Sequence, residues 1–142
     1  MISPSAFCRG LLAVTVAVGC AASAHAFPMP VHEGQITYIT GGIGDDEEDA
    51  MKAAAHDYDL LISNAESNGE FTAGADLLIR DANGRAVLQA HDAGPLFYAQ
   101  LPPGAYVVDA TYDGIERVRD VTIGNRGPAD VHLIWPQADM PQ

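Results

Sequence analysis

The chain has 142 residues, of which 7 are Lys or Arg and 19 are Asp or Glu, giving a formal net charge of −12 at pH 7. This length suits one domain. A negative net charge excludes a nucleic-acid binder, whose affinity depends on neutralising phosphates. It also disfavours adsorption to anionic membrane surfaces.

The first 26 residues have the pattern of an export signal. Arg9 supplies the positive start, residues 11–19 an apolar stretch too short to span a bilayer, and Ala-His-Ala at 24–26 a cleavage site. Cleavage after Ala26 would leave a mature chain without cysteine or a transmembrane segment, in the periplasm or secreted. The alternative is a lipoprotein anchored at Cys20, since the Val-Ala-Val-Gly-Cys that ends there loosely resembles a lipobox.

Residues 27–57 are predicted to form an extended arm and one short helix. The arm is rich in proline, and residues 35–40 are rich in β-branched and aromatic side chains, which predicts a short strand. A glycine-rich turn then precedes five consecutive acids. Asp45 predicts an N-cap, Glu48 completes a capping-box pattern, and the helix is expected to run to about His56. Its expected buried face, from the helical spacing, is Met51, Ala54, Ala55 and Tyr58.

From residue 58 onward, alternating apolar and polar runs predict seven strands. Asn83-Gly84 and Asp113-Gly114 separate consecutive runs and predict hairpin turns, the first of type I′. The alternation breaks at Asp120, which predicts a β-bulge there. Such a succession of strands indicates a β-sandwich. The predicted strands cover residues 58–65, 75–82, 86–92, 95–101, 105–112, 116–123 and 129–135.

Residues 101–123 resemble the closing strands of carboxypeptidase regulatory-like domains, which have a transthyretin-like sandwich. Leu101, Pro103-Gly104 and Tyr106 carry the resemblance, followed by an alternating strand, a glycine turn and a Val-x-Ile strand. Residues 75–89 resemble the earlier hairpin of such domains, with its Asp-x-x-Gly turn. The resemblance implies an all-β, seven-stranded, transthyretin-like Greek-key sandwich over residues 58–136, followed by a polar tail at 137–142.

The glycine-rich turn has two interpretations as a ligand site, one for an anion and one for a cation. A phosphate would meet five carboxylates before the first lysine, so phosphate binding is rejected. Calcium prefers such oxygen ligands, and an alternative function is a small-ligand or calcium-binding protein that uses the acidic loop at 45–49. Its candidate ligands are Asp45, Asp46, Asp49 and Asp57. A capped, solvated helix start is the preferred interpretation.

No motif of catalysis or of cofactor binding is present in the sequence after residue 26. Ser63 and Ser67 are its only serines, and neither lies in a nucleophile elbow. Its four histidines lack the short spacing of a helical metal pair, and there is no cysteine to join them. We therefore expect a protein that is not an enzyme and has no cofactor, with an enzyme of unrecognised type as a second alternative.

Phe97 and Tyr98 are consecutive in a predicted strand and so face opposite sides of a sheet. If one of them is exposed, it suits a recognition patch; the alternative is that the sandwich and the helix cover both faces. As a whole, the chain resembles small exported bacterial proteins that carry a domain of this type. The resemblance implies a non-catalytic interaction module of the bacterial cell envelope, whose expected partner is another envelope protein.

Overall fold

The computed structural model describes residues 28–137. The predicted export signal, the alternative lipid anchor at Cys20 and most of the predicted polar tail lie outside these residues. Within them, no helix has both the length and the apolar character needed to cross a membrane.

The described residues form nine strands and one short α-helix, where the sequence predicted seven strands from residue 58 onward and a short one at residues 35–40. Seven of the nine lie within residues 58–136, and the other two come from the N-terminal segment. Part of the predicted arm is therefore a strand, because residues 31–33 pair with the strand that follows them. The elements are β1 (Val31–Glu33), β2 (Ile36–Gly41), α1 (Asp45–Ala54) with a 3-10 turn (Ala55–Asp57), β3 (Leu60–Glu66), β4 (Ala75–Asp81), β5 (Ala86–Ala93), β6 (Leu96–Ala99), β7 (Gly104–Tyr112), β8 (Ile115–Ile123) and β9 (Ala129–Trp135).

The strands form two sheets that pack face to face as a β-sandwich. One sheet has the order β1-β2-β6-β3-β9 and the other has the order β5-β4-β7-β8. Neighbouring strands are antiparallel except for β3 and β9, which run parallel in register from Leu60 opposite Ala129 to Glu66 opposite Trp135. The two strands of this pair lie far apart in the sequence, so the pairing joins the middle of the chain to its last strand.

The core between the sheets is built by the predicted alternation. Tyr106, Val108 and Ala110 of β7 are buried, as are Val131, Leu133 and Trp135 of β9. Asn64 is the fully buried polar residue at the centre of this core. Its amide donates to the Gly94 carbonyl at 3.2 Å and accepts from the Trp135 indole at 3.4 Å, so both of its polar ends are satisfied.

The predicted type I′ turn at Asn83-Gly84 is wrong. Gly84 has a φ of 78°, but Asn83 does not share the positive φ that a type I′ turn needs at both positions. The connection covers residues 82–85, and in it the Asp81 carbonyl accepts from Gly84 N and Asp81 N donates to the Arg85 carbonyl. The Asp81 carboxylate also accepts from two loop amides, at 2.9 and 3.0 Å, and this favours the longer loop.

The predicted bulge at Asp120 is also wrong. The register of β7 and β8 is continuous from Gly104 opposite Ile123 to Tyr112 opposite Ile115. The alternation only looked broken because arginines occupy inward positions of β8. Arg117 is half-buried, and its guanidinium lies over the ring of Trp135, 5.9 Å from the centroid.

Side chains from neighbouring segments cover two of the sheet edges. Glu33 in β1 accepts a hydrogen bond at 3.2 Å from the backbone amide of Gln89 in the edge strand β5. Arg117 in β8 donates to the Ile134 carbonyl of the edge strand β9 at 3.3 Å. Each contact occupies a backbone group that would otherwise be open to another strand.

Candidate functional site

Helix α1 begins differently from the prediction. Its N-cap is Gly44, with a φ of 88° and no side-chain cap hydrogen bond, and Asp45 is the first helical residue. The predicted N-cap at Asp45 and its capping box are therefore wrong. The Glu48 side chain pairs with Lys52 one turn later, and its backbone amide donates to the Gly44 carbonyl at 3.0 Å.

Glu47 is the acid that the glycine-rich turn binds. Its Oε1 accepts a hydrogen bond from the backbone amide of Gly42 at 2.8 Å. Gly41 leaves room for this carboxylate, because a Cβ at that position would lie 2.3 Å from the same oxygen. The turn thus holds an anion that belongs to its own chain, and no local pattern indicates which of the five acids it is.

The candidate calcium ligands do not come together. Asp45, Asp46 and Asp49 lie on α1, whereas Asp57 ends the 3-10 turn beyond it. The rise of a helix separates Asp45 from Asp57 by roughly 18 Å. Asp57 lies 3.3 Å from the His56 ring, and both side chains are exposed. Over residues 28–137, no group of three His, Cys, Asp or Glu side chains is arranged to hold a metal ion.

The expectation that Phe97 or Tyr98 is exposed is wrong. Phe97 is fully buried in the core and stacks on Tyr38, with ring centroids 4.9 Å apart. Tyr98 points to the opposite face of β6, where it is 5% exposed. The reason is that α1 covers this outer face, so the alternative in which sandwich and helix cover both residues is the correct one.

We call the small apolar group beneath α1 the helix cluster. Met51 is the fully buried residue of the helix, and it packs there with side chains from β2, β6 and the segment after the helix. Burial raises the pKa of the Tyr98 hydroxyl, an effect that the nearby positive charge of Lys52 partly opposes. The buried members of the cluster are Ile39, Met51, Tyr58, Leu96 and Tyr98, and Ala54, Ala55 and Leu61 pack against it. Of the predicted buried face, Met51 and Tyr58 are buried and Ala54 and Ala55 are partly buried, but α1 ends at Ala54, before Ala55 and Tyr58.

An exposed apolar row crosses the same outer face outside the helix cluster. Ala65 in β3 pairs with Ile134 in β9 on one side and bridges to Phe71 on the other. Residues opposite one another in neighbouring strands project to the same face, so the three side chains are adjacent. Phe71 is 45% exposed and Ile134 is 47% exposed. We call Phe71, Ala65 and Ile134 the apolar row.

A serine and a histidine pair beside the apolar row. Ser63 and His132 are opposite one another in β3 and β9, two residues before Ala65 and Ile134. The Ser63 hydroxyl lies 2.6 Å from His132 Nδ1. Sequence reasoning missed this pair because its members are 69 residues apart and meet only through the parallel pairing. The outward position of Ile134 could have been found from the alternation of β9.

A shallow cavity of about 300 Å³ lies where β4 and β8 end and β7 begins. The polar side chains that line it include Arg80, Asp81, Tyr106 and Asp120. Two of these are engaged in structural bonds: the Asp81 carboxylate holds the β4–β5 loop, and the Tyr106 hydroxyl donates to the Pro102 carbonyl at 2.7 Å. The outer face of the five-stranded sheet is therefore the better candidate site.

No protein-family model matches the chain, and no curated protein matches it.

Proposed function

We propose that the protein is a non-catalytic interaction module of the bacterial cell envelope, which binds another protein through the apolar row. The observation that carries the proposal is that Phe71 and Ile134 flank Ala65 on one exposed face, each opposite it in the backbone pairing. Single exposed apolar residues are common on proteins, but adjacent ones form a patch that a partner can cover. The export-signal pattern of residues 1–26 supports a periplasmic location.

We also propose that residues 58–136 form a carboxypeptidase regulatory-like domain of the transthyretin type. Two observations support this assignment. Seven strands lie in this part of the chain, and Tyr106 of the resembling stretch ties the Pro-Pro-Gly turn to β7 through its hydroxyl. A tyrosine that bonds back to the backbone a few residues upstream is a recurrent device of sandwich folds.

The apolar row has properties that suit a protein partner. Ala65 and Ile134 lie on paired strands and Phe71 is bridged to Ala65, so the backbone of the row is held in place before binding and little ordering is needed. Aromatic residues are enriched at the centres of interfaces, and Phe71 supplies one. Residues 1–26 contain one arginine and no acid, so the formal net charge of the chain after residue 26 is −13 instead of −12. A partner with a basic surface would therefore associate faster than a neutral one.

The test is capture of a partner from envelope extract by the purified protein. The Phe71→Ser, Ile134→Ser double variant is expected to lose the captured protein. Val118→Ser is the matched control, since Val118 is also 47% exposed but lies on the other sheet. A partner retained by the double variant, or lost equally with Val118→Ser, would contradict the proposal. Circular dichroism would establish that each variant is folded.

A second candidate function is ester hydrolysis, and the contact between Ser63 and His132 favours it. With His132 Nδ1 unprotonated, the serine hydroxyl donates to it, as a nucleophile donates to its base. Across the described residues, however, no carboxylate hydrogen-bonds the other ring nitrogen of His132 to orient it. Reaction with a fluorophosphonate tests this function. A mass increase at Ser63 that is lost in His132→Ala, with Ser67 unlabelled, would favour the hydrolase.

A further inference from the structure

We propose that helix α1 is a hinged cover that opens as a unit while both sheets remain folded. The cover consists of α1 and the 3-10 turn that follows it. This property concerns the fold itself and holds whether or not the apolar row binds a partner.

The first observation is that the helix takes no part in the main core. The buried side chains between the two sheets come from strands and from Leu101, and none of them belongs to α1. The helix cluster is a separate group on the outer face, and Met51 is the one fully buried side chain that α1 contributes to it. Removing the helix from the sheet would therefore leave the sandwich core intact.

The second observation is the way in which the helix is attached. Gly42 and Gly44, just before the helix, have φ values of 102° and 88°, in a region where glycine is free to move and other residues are strained. A hydrogen bond from Gly42 N to Glu47 Oε1 joins this glycine turn to the first turn of the helix, and we call it the latch. Opening would require loss of this bond, loss of the bond at 3.0 Å from Gln100 Nε2 to the Asp57 carbonyl of the 3-10 turn, and withdrawal of Met51.

The third observation is the length of the helix. It has 10 residues, and helices of this length are marginal in water without tertiary packing. Once Met51 leaves the sheet, the segment is expected to lose its helical hydrogen bonds together. Regions with few buried contacts open in such cooperative units at a lower free energy than the whole protein. Opening would expose Ile39, Leu96 and Tyr98 on the outer face.

Native-state amide hydrogen exchange of the whole protein tests the proposal. It is measured at a series of urea concentrations below the unfolding transition. The reporters are the Glu48 amide, bonded to Gly44 O in the helix, and the Asn64 amide, bonded to Pro95 O in the sandwich. The amides of α1 are expected to exchange together, faster than Asn64 and with a smaller dependence on urea. Met51→Ala should accelerate exchange in α1 by about 30-fold or more.

A matched pair of variants in the four-stranded sheet separates local from global opening. Leu77→Ala and the milder Ile79→Val alter the main core, where both residues are buried. They should accelerate exchange at Asn64, by about 30-fold or more for Leu77→Ala, and leave α1 within twofold of the wild type. If α1 accelerates in step with Asn64, the protein unfolds as one unit and the proposal is wrong. Unequal, urea-independent rates along α1 would indicate fraying and would equally overturn it.

Discussion

Replacing Glu47 is expected to destabilise the protein more than replacing Asp45. The two acids lie in the same first turn of α1, but only Glu47 holds a backbone amide. The helix-capping pattern of the sequence predicts the opposite order, with Asp45 as the stabilising cap and Glu47 contributing little. The pair therefore tests whether the tertiary contact or the local motif determines the stability of this segment.

The magnitudes follow from what each carboxylate contacts. Gly42 is buried, so Glu47→Ala leaves its amide without an acceptor, which costs about 1–3 kcal/mol. Glu47→Gln keeps an acceptor but loses the charge, and should cost about 1 kcal/mol. Asp45 is exposed and contributes only a screened interaction with the helix dipole, so Asp45→Ala should cost about 0.5 kcal/mol or less.

Urea denaturation, followed by the fluorescence of Trp135, measures these differences. This residue is the one tryptophan of the chain and is fully buried in the described structure, so its emission reports unfolding of the sandwich. The slope of the free energy against urea should be the same in all variants, so that the midpoints report stability. A loss for Asp45→Ala that equals or exceeds the loss for Glu47→Ala would refute the assignment of Glu47 as the latch.

Three further predictions concern the core and its titration. Asn64→Leu should cost about 2 kcal/mol, because it leaves the indole N–H of the buried tryptophan without an acceptor, and an unchanged urea midpoint would contradict this. Gly94→Ala should cost about 1–3 kcal/mol, since its Cβ would lie 2.8 Å from the Gly41 carbonyl oxygen. Gly124→Ala, which meets nothing within 4 Å, is the control, and equal losses would disprove the clash. Burial raises the pKa of Tyr98 above its ordinary value of 10.0, so the folded state keeps this proton where the unfolded state loses it. Stability should therefore be intact below about pH 10 and fall above it, less steeply in Tyr98→Phe. Urea midpoints measured from about pH 9 to 11 check this, and midpoints that rise with pH would contradict it.

The parts of the fold that depend on local pattern were predictable from the sequence. Alternation located β9 at Ala129–Trp135, and the Asp113-Gly114 pair located the β7–β8 hairpin, where both turn residues have positive φ. Each signal comes from residues that contact one another along one strand or across one turn. The pairing of β1 with β2 was missed because β1 is three residues long and exposed, so it carries no alternation.

The candidate site was not predictable, because it forms from contacts between distant segments. The apolar row and the Ser63–His132 pair exist only because β3 and β9 are parallel neighbours, and no local pattern encodes that choice. Tyr98 looked available because a strand pattern shows which residues face outward but not what covers them. The same limit applies to Glu47, whose partner is a backbone amide that any residue could offer.

The covered sheet edges restrict how this protein can recognise anything. A ligand that adds a strand needs a continuous line of free amides and carbonyls. On β5, a carboxylate already occupies one amide, and on β9 a guanidinium occupies one carbonyl. Beside them, β1 offers only three residues, and β8 carries four charged side chains along its nine residues. Addition of a ligand strand is therefore disfavoured along each edge. Selectivity would come from the shape and chemistry of the side chains on the exposed faces of the sheets.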